Sequence, residues 1–181
     1  MAVTITQNEI APDQFPEIAP YPHRHVDDLL PEEAALSHMV IWQRIEQYIA
    51  YRFVPRTVVW HVEGEGHWTP PLAPATITAA LVWENGGWSE TTLPAGPYGY
   101  CLPGDGPYKI TATVGEEGAT VPEDVHEAYR RLHEYFRGVA EQFKADAALR
   151  SFDGDDIAPN WTARALQLSG AADLLRPYRR V

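Results

Sequence analysis

The hydrophobic positions between residues 121 and 144 recur at alternating steps of four and three. They fall at Val125, Tyr129, Leu132, Phe136, Val139 and Phe143. This spacing places one apolar stripe along an α-helix whose opposite face carries Glu and Arg side chains. Pro122 suits the first turn, because its missing N–H would have no partner there. The pattern predicts a long amphipathic helix over 121–144 that covers part of a core.

A second segment with helical spacing extends from Pro31 to Phe53. Its opening proline is followed by two glutamates, which are typical of a first helical turn. Ile41, Ile45 and Ile49 then recur on one face, and we expect Pro55 to end the element. The sequence therefore predicts a second long helix over 31–53.

The hydrophobic period changes to two between residues 57 and 114. Alternating runs at 57–62, 77–83, 88–93 and 108–114 predict strands. The Asn85-Gly86 pair between two of these runs predicts a tight hairpin turn, because both residues tolerate positive φ angles. This β insertion, over 57–114, is expected to form an antiparallel meander.

The predicted fold class is α+β, with two long amphipathic helices, a short C-terminal helix at about 160–175 and the inserted β-meander. Residues 31–181 are predicted to form one domain. Residues 1–30 contain four prolines and are predicted to form an extended N-terminal arm. Val3 and Ile5 alternate with threonines, so the start of the arm could add as a strand to a neighbour; a disordered tail is the other interpretation.

The charge balance restricts the class of partner. The chain carries 25 acidic against 14 basic residues, a net charge of −11. A protein that binds nucleic acid nonspecifically needs a positive surface, so this balance argues against that function. One cysteine, Cys101, excludes an internal disulfide framework and fits a reducing compartment. We expect no signal peptide and no membrane span, since no apolar run approaches the required length.

One segment of the chain contains candidate metal ligands. His23, His25 and Asp27 alternate along an extended segment, a spacing that some metal sites use. A solvated, charged arm is the competing interpretation. No Ser, Cys or Gly-rich motif adds a nucleophile or a phosphate-binding loop. We therefore expect no catalytic residue, no metal, no cofactor and no enzymatic activity, although a metal-dependent hydrolase using these three residues stays an alternative.

Four tryptophans concentrate in the predicted β region, namely Trp60, Trp68, Trp83 and Trp88. They fit core positions and cross-strand pairs, with two of them flanking the predicted turn. They also fit a binding surface for a carbohydrate or a protein. A Trp-rich β binding module is thus an alternative function.

The last residues differ in charge from the rest of the chain. Arg176, Arg179 and Arg180 lie beside Leu174, Leu175 and Tyr178. This composition is typical of a docking peptide. A basic tail folded onto its own acidic surface explains it equally well.

Three segments carry a family resemblance. Val121-Pro122 precedes the long helix, the first helix runs into Tyr48–Phe53 before a strand, and the chain closes with Leu174-Leu175-Arg176-Pro177-Tyr178-Arg179. In their order and spacing, over residues 30–181, they resemble the head–tail connector (adaptor) proteins of long-tailed bacteriophages and gene transfer agents. Ala50 and Tyr51 replace the family's usual Thr-Gly, and the family's extra N-terminal helix is not evident in residues 1–30.

The resemblance implies a structural protein of the virion. Such connectors form a ring, usually of twelve copies, beneath the portal protein. The ring extends the DNA channel, joins the capsid to a tail-side head-completion or stopper protein, and lets DNA pass without specific binding. The implied location is the head–tail junction of the virion, with the host cytoplasm during assembly and no membrane partner.

The resemblance also assigns residues, as expectations. The portal-binding segment would comprise Leu174, Leu175, Arg176, Pro177, Tyr178, Arg179, Arg180 and Val181. The candidates for contacts between subunits of the ring are Trp42, Tyr48, Arg52, Arg130, Glu134 and Arg137.

Overall fold

The computed structural model describes residues 2–19, 31–149 and 164–180, with side chains in 2–19, 38–139 and 164–180. The chain divides into two compact units. The first, called the β unit, combines Met1–Gln14 with Ala50–Ala119, and the second, called the helical unit, combines Phe15–Ile49 with Thr120–Val181.

The β unit contains two antiparallel sheets. Its strands are β1 (Val3–Glu9), β2 (Arg56–Glu63), β3 (Gly66–Trp68), β4 (Ala75–Glu84), β5 (Gly87–Glu90), β6 (Ala95–Gly96), β7 (Gly99–Leu102) and β8 (Tyr108–Val114). Five of them form one sheet in the order β1-β2-β8-β4-β5, and three form the other in the order β3-β7-β6.

The period of two along the central strands places every second side chain in the core. Val58, Trp60 and Val62 of β2 are buried. So are the alternate residues of β8 from Tyr108 to Val114, and Trp60 lies opposite Ile110 in the ladder. The intervening residues face the other side of the sheet, as half-buried antiparallel strands require.

The hairpin turn predicted at Asn85-Gly86 is confirmed. Both residues have positive φ angles, 50° and 82°. Glu84 pairs with Gly87 across the turn and Trp83 with Trp88. This is the two-residue turn that matches the twist of the strands.

Gly115 shows why one position at the end of β8 admits no side chain. Its φ is 84°, and a Cβ atom there would lie 2.4 Å from the carbonyl oxygen of Val54. The chain can therefore leave β8 at this point only through glycine.

The helical unit is built from α1 (Pro31–Ile49), α2 (Glu123–Leu149), α3 (Ala165–Leu168) and α4 (Ala171–Leu175), followed by a 3₁₀ turn at Arg176–Tyr178. Ile41, Trp42, Ile45 and Ile49 of α1 are buried. On α2 the predicted stripe is buried at Val125, Tyr129 and Leu132, whereas Phe136 and Val139 are half-buried.

The predicted fold class is wrong in two respects. Among the residues that the structure describes, only α2, with 27 residues, is a long helix; α1 has 19 residues and ends at Ile49. The strands form two sheets and not one inserted meander, because β3, β6 and β7 pair among themselves. Hydrophobic period reports which residues form strands, but it carries no signal for which strands pair.

Helix α1 ends before Pro55 because the backbone turns at Ala50, whose φ is 55°. The Arg52 amide then donates to the Ala73 carbonyl oxygen at 2.7 Å, and the Ala73 amide donates to Ala50 at 3.1 Å. Residues 51–53 therefore belong to the β unit, although their apolar spacing continues that of the helix.

Two further segments differ from their predicted bounds. The short C-terminal helix is divided into α3 and α4 by Gly170, which has a φ of 73°; residues 160–163 lie outside the described part. In the predicted arm, β1 pairs antiparallel with β2 and becomes an edge strand of the chain's own sheet.

Candidate functional site

The C-terminal segment, Leu174–Arg180, lies on its own helical unit. Leu175 is buried there. The Tyr178 hydroxyl donates to the Asp124 carboxylate in the first turn of α2 at 3.2 Å. The Arg179 guanidinium lies 5.5 Å from the centre of the Tyr48 ring, and the Arg180 amide donates to the Ile49 carbonyl oxygen at 3.3 Å. One apolar anchor and three surface contacts thus position the segment.

The electrostatics of the segment favour a neutral tyrosine and outward cations. Partial desolvation and the neighbouring Asp124 carboxylate raise the pKa of Tyr178, because both disfavour the charged phenolate. Arg176 pairs with Asp173 at 3.2 Å in the open. Arg176, Pro177, Arg179 and Arg180 are exposed.

The predicted portal-binding residues therefore divide into two groups. Leu175 is occupied inside its own unit, whereas the exposed residues Arg176, Pro177, Arg179 and Arg180 face outward from the segment. Leu174 and Tyr178 are half-buried between these extremes. Val181 lies outside the described residues. The folded-back tail that the composition allowed is thus present, and it still presents its arginines.

Two of the predicted subunit-interface residues are explained within the chain itself. Trp42 is buried beside Phe15, and its indole N–H donates to the Pro16 carbonyl oxygen at 2.9 Å. Arg52 is buried in the β unit. The burial of both side chains is therefore explained by contacts within the chain, without a neighbouring subunit.

The other four interface candidates lie at the surface of the helical unit. Tyr48 is half-buried beneath Arg179. Arg130 donates to the Ala19 carbonyl oxygen at 3.2 Å. Glu134 and Arg137 are half-buried on α2.

The β unit contains a cluster of charges that no sequence pattern predicted, which we call the Glu9 cluster. It joins the half-buried Glu9 to the buried Arg52 and Arg56. Arg52 Nη2 donates to Glu9 Oε2 at 2.8 Å, and Arg56 Nη1 donates to Glu9 Oε1 at 3.1 Å. Burial opposes the ionisation of Glu9, but the hydrogen bonds and charges of the two arginines outweigh it and hold the pKa of Glu9 below its ordinary value. No sequence signal connects residues so far apart, since strand pairing brings them together.

The four tryptophans of the β unit have two roles. Trp60 and Trp68 are in the core, where their indole N–H groups donate to Gln7 and Thr4, each at 2.9 Å. Trp83 and Trp88 remain 43% and 40% exposed and meet edge to face, with ring centres 5.3 Å apart. Only the second pair keeps aromatic surface for a partner.

The metal-site candidates His23, His25 and Asp27 lie outside the described residues. Among the residues that the structure describes, no group of three or more His, Cys, Asp or Glu side chains could hold a metal ion. In the same ranges, no helix is long and apolar enough to cross a membrane.

No protein-family model and no curated protein matches the chain. Solved structures do match. A chain of "Neck of empty GTA particle computed with C6 symmetry" aligns with a TM-score of 0.60 and 16% identity, covering 98% of this chain and 96% of that one. GTA stands for gene transfer agent. A chain of "Virion of native gene transfer agent (GTA) particle" aligns with a TM-score of 0.56 and 22% identity, covering 88% and 84%.

A third match, to a chain of "Neck of native GTA particle computed with C12 symmetry", has a TM-score of 0.47 with 17% identity over 81% of each chain. That similarity is too weak to establish a shared fold. The first two establish that this chain has the fold of chains found in the virion and neck of a gene transfer agent particle. At these identities the similarity concerns the fold alone.

Proposed function

We propose that this protein is a structural component of the neck of a tailed-phage-like particle, such as a gene transfer agent. In this role several copies form a ring beneath the portal, with twelve copies expected from the resemblance to connector proteins. The ring extends the DNA channel and joins the capsid to a tail-side head-completion or stopper protein. The role requires no catalysis and no cofactor.

One observation carries the proposal, namely the fold similarity to a neck chain over nearly the full length of both chains. Such coverage includes both units, so the match does not depend on one common substructure. The order of the sequence motifs resembles that of connector proteins, which supports the same class independently of the fold.

The charge of the chain supports a conduit for DNA. A net charge of −11 per copy, repeated around a ring, repels phosphates and lets DNA slide without binding. In the β unit the cations are Arg52, Arg56 and Lys109, and the first two are buried against Glu9. The exposed charge of that unit is therefore almost entirely negative.

The C-terminal segment supplies the surface proposed to bind the portal. Leu175 and Tyr178 fix the backbone that carries the outward arginines. Little conformational entropy of the backbone is therefore lost when the arginines bind a partner. Deleting the segment would also remove the buried Leu175 and would confuse unfolding with lost binding. A test of portal attachment therefore needs a surface substitution.

Arg180→Glu tests this assignment. The side chain is exposed, so the reversal should leave the fold intact and weaken binding to the portal protein of the same particle by about tenfold or more, since an interface charge meets a like charge. Arg164→Glu is the matched control, because Arg164 is exposed on the same unit outside the segment. Binding is measured by surface plasmon resonance with immobilised portal. Equal losses in both variants, or none in either, would refute the assignment.

A further inference from the structure

The five-stranded sheet has two open edges, β1 and β5. Within the described residues neither strand pairs with another on its outer side. An unpaired edge presents a row of backbone N–H and C=O groups that another strand can join. The position of these groups can be derived from the hydrogen bonds on the inner side.

On β5 the turn places Glu84 and Gly87 in a hydrogen-bonded pair, and the Thr91 amide donates to Ala80 at 3.0 Å. Bonded and non-bonded pairs alternate in an antiparallel ladder, so the backbone groups of Trp88 and Glu90 face the open edge. On β1 the Ile10 amide donates to Thr57 at 3.0 Å. The same alternation directs the backbone groups of Gln7 and Glu9 outward.

Apolar side chains of both edges lie on one face of the sheet. Thr6 of β1 bonds to His61 of β2 at 2.8 Å, and the His61 ring lies 6.1 Å from that of Trp88 on β5. Ile5, the extra residue of a bulge beside Thr6, is 59% exposed. Val3 pairs with Glu63, two residues from His61, and is 55% exposed. Val3 and Trp88 therefore share the His61 face, and Ile5 adds an exposed apolar side chain at the same edge as Val3.

The direction of the strands decides how copies can join. Every neighbouring pair in the sheet is antiparallel, so with five strands the two edges run in the same direction. Rotation about a ring axis preserves that direction, and β5 of one copy then meets β1 of the next as a parallel pair. Pairing of β1 with β1 would instead be two-fold and would stop at two copies.

Charge favours the same arrangement. The stretch from Ala2 to Asn8 carries no charge, whereas Glu84 and Glu90 flank the turn and end of β5. Two β5 edges would oppose their carboxylates. A β1 edge opposite β5 avoids that repulsion and brings Val3 and Ile5 toward Trp88.

We propose that β1 of one copy and β5 of the next form a parallel strand pair, so that the five-stranded sheets join into one sheet around the ring. This junction rests on the proposed ring function. It commits to a second copy of this chain as the occupant of both edges.

Crosslinking tests the junction. In a Cys101→Ser background, which removes the single cysteine, Ile5→Cys and Glu90→Cys are combined and treated with a short bismaleimide. Because each copy then offers one thiol at each edge, we expect a ladder of products from dimer up to the closed ring on denaturing gels. Each single variant should run only as the monomer on the same denaturing gels, because its thiols lie at one edge of each copy.

The outcomes separate the junction from the function. Dimers formed by a single variant would show two-fold self-pairing and overturn the junction. A ring detected by light scattering without crosslinks from the double variant would overturn the junction and leave the ring function standing. A chain that stays monomeric alone and with its portal would overturn both.

Glu90→Pro provides a second test. It removes an amide that faces the open edge and leaves the ladder between β4 and β5 intact. We expect at least tenfold weaker assembly with an unchanged melting temperature. Glu90→Ala, which keeps the amide, should assemble like the unmodified chain. Equal assembly of the two variants would contradict the junction.

Discussion

The two units hold the two ends of the chain by different means. In the β unit, β1 is held along its length by the ladder with β2, by bonds from Trp60 and Trp68, and by the Glu9 cluster. In the helical unit, the C-terminal segment has one buried side chain, Leu175, and contacts at the surface. The N-terminal strand is thus held by hydrogen bonds and an ion-pair cluster along its length, although none of its own side chains is buried. The C-terminal segment is instead held by one buried side chain.

This difference indicates that the C-terminal segment can contact a partner without disturbing the packing of its unit. Partner contacts made by the C-terminal arginines replace water, because those side chains are exposed. Contacts on β1 use its outer edge and its exposed apolar side chains, because Thr4, Gln7 and Glu9 already bond to buried residues of the β unit. Substitutions that remove one of these contacts at a time measure how much each contact contributes to the stability of its unit.

The largest effect is expected for Glu9→Gln. The change keeps the size of the side chain but removes the negative charge that Glu9 presents to the buried Arg52 and Arg56. Removing one partner of a buried ion pair costs about 3–5 kcal/mol. Urea denaturation followed by tryptophan fluorescence should show this loss in the free energy of unfolding.

Asp13→Asn is the matched control, since Asp13 is an exposed carboxylate of the same unit; its effect should stay within about 0.5 kcal/mol. The pH dependence gives a second readout. The contribution of Glu9 is fully present above the ordinary pKa of 4.5 and disappears as the pH falls through the lowered pKa of the folded state. Glu9→Gln should therefore flatten the acid limb of the stability profile, and an unchanged profile would exclude this role.

A smaller loss is expected for Leu175→Ala. Truncating a buried leucine costs about 2–5 kcal/mol, and the lower part of that range applies where a short helix can relax around the cavity. Far-UV circular dichroism in urea measures the effect on the helices. Leu168→Ala, at an exposed position of α3, should change stability little. If both variants unfold alike, Leu175 is not the anchor of the segment.

The smallest effect is expected for Tyr178→Phe. It deletes one hydroxyl that donates to Asp124 at the surface, where water can replace the lost hydrogen bond, so the change in stability should be small. Hydrogen exchange of the amides at 176–180 should nevertheless accelerate, because the segment loses a surface contact. Tyr98→Phe, with an exposed side chain in the β unit, serves as the control. Unaltered exchange in Tyr178→Phe would mean that the hydrogen bond does not hold the segment.

Part of this molecule could be predicted because its signals are local. The alternation in Tyr108–Val114 gives a half-buried strand, Asn85-Gly86 gives the turn, and the stripe from Val125 to Leu132 gives the buried face of α2. Each follows from the geometry of a few consecutive residues. The cluster of arginines at the C-terminus is local in the same sense, and composition alone identified it.

The remaining features depend on which distant segments meet. The sequence by itself determined the periods, the turn, the acidic charge and the basic end. Only the tertiary structure decided that β1 joins β2, that Glu9 meets Arg52 and Arg56, and that Leu175 is buried while its neighbouring arginines are exposed. The physical reason is that strand pairing and burial are set by the competition among all the segments for one core, and no single stretch of sequence contains that information.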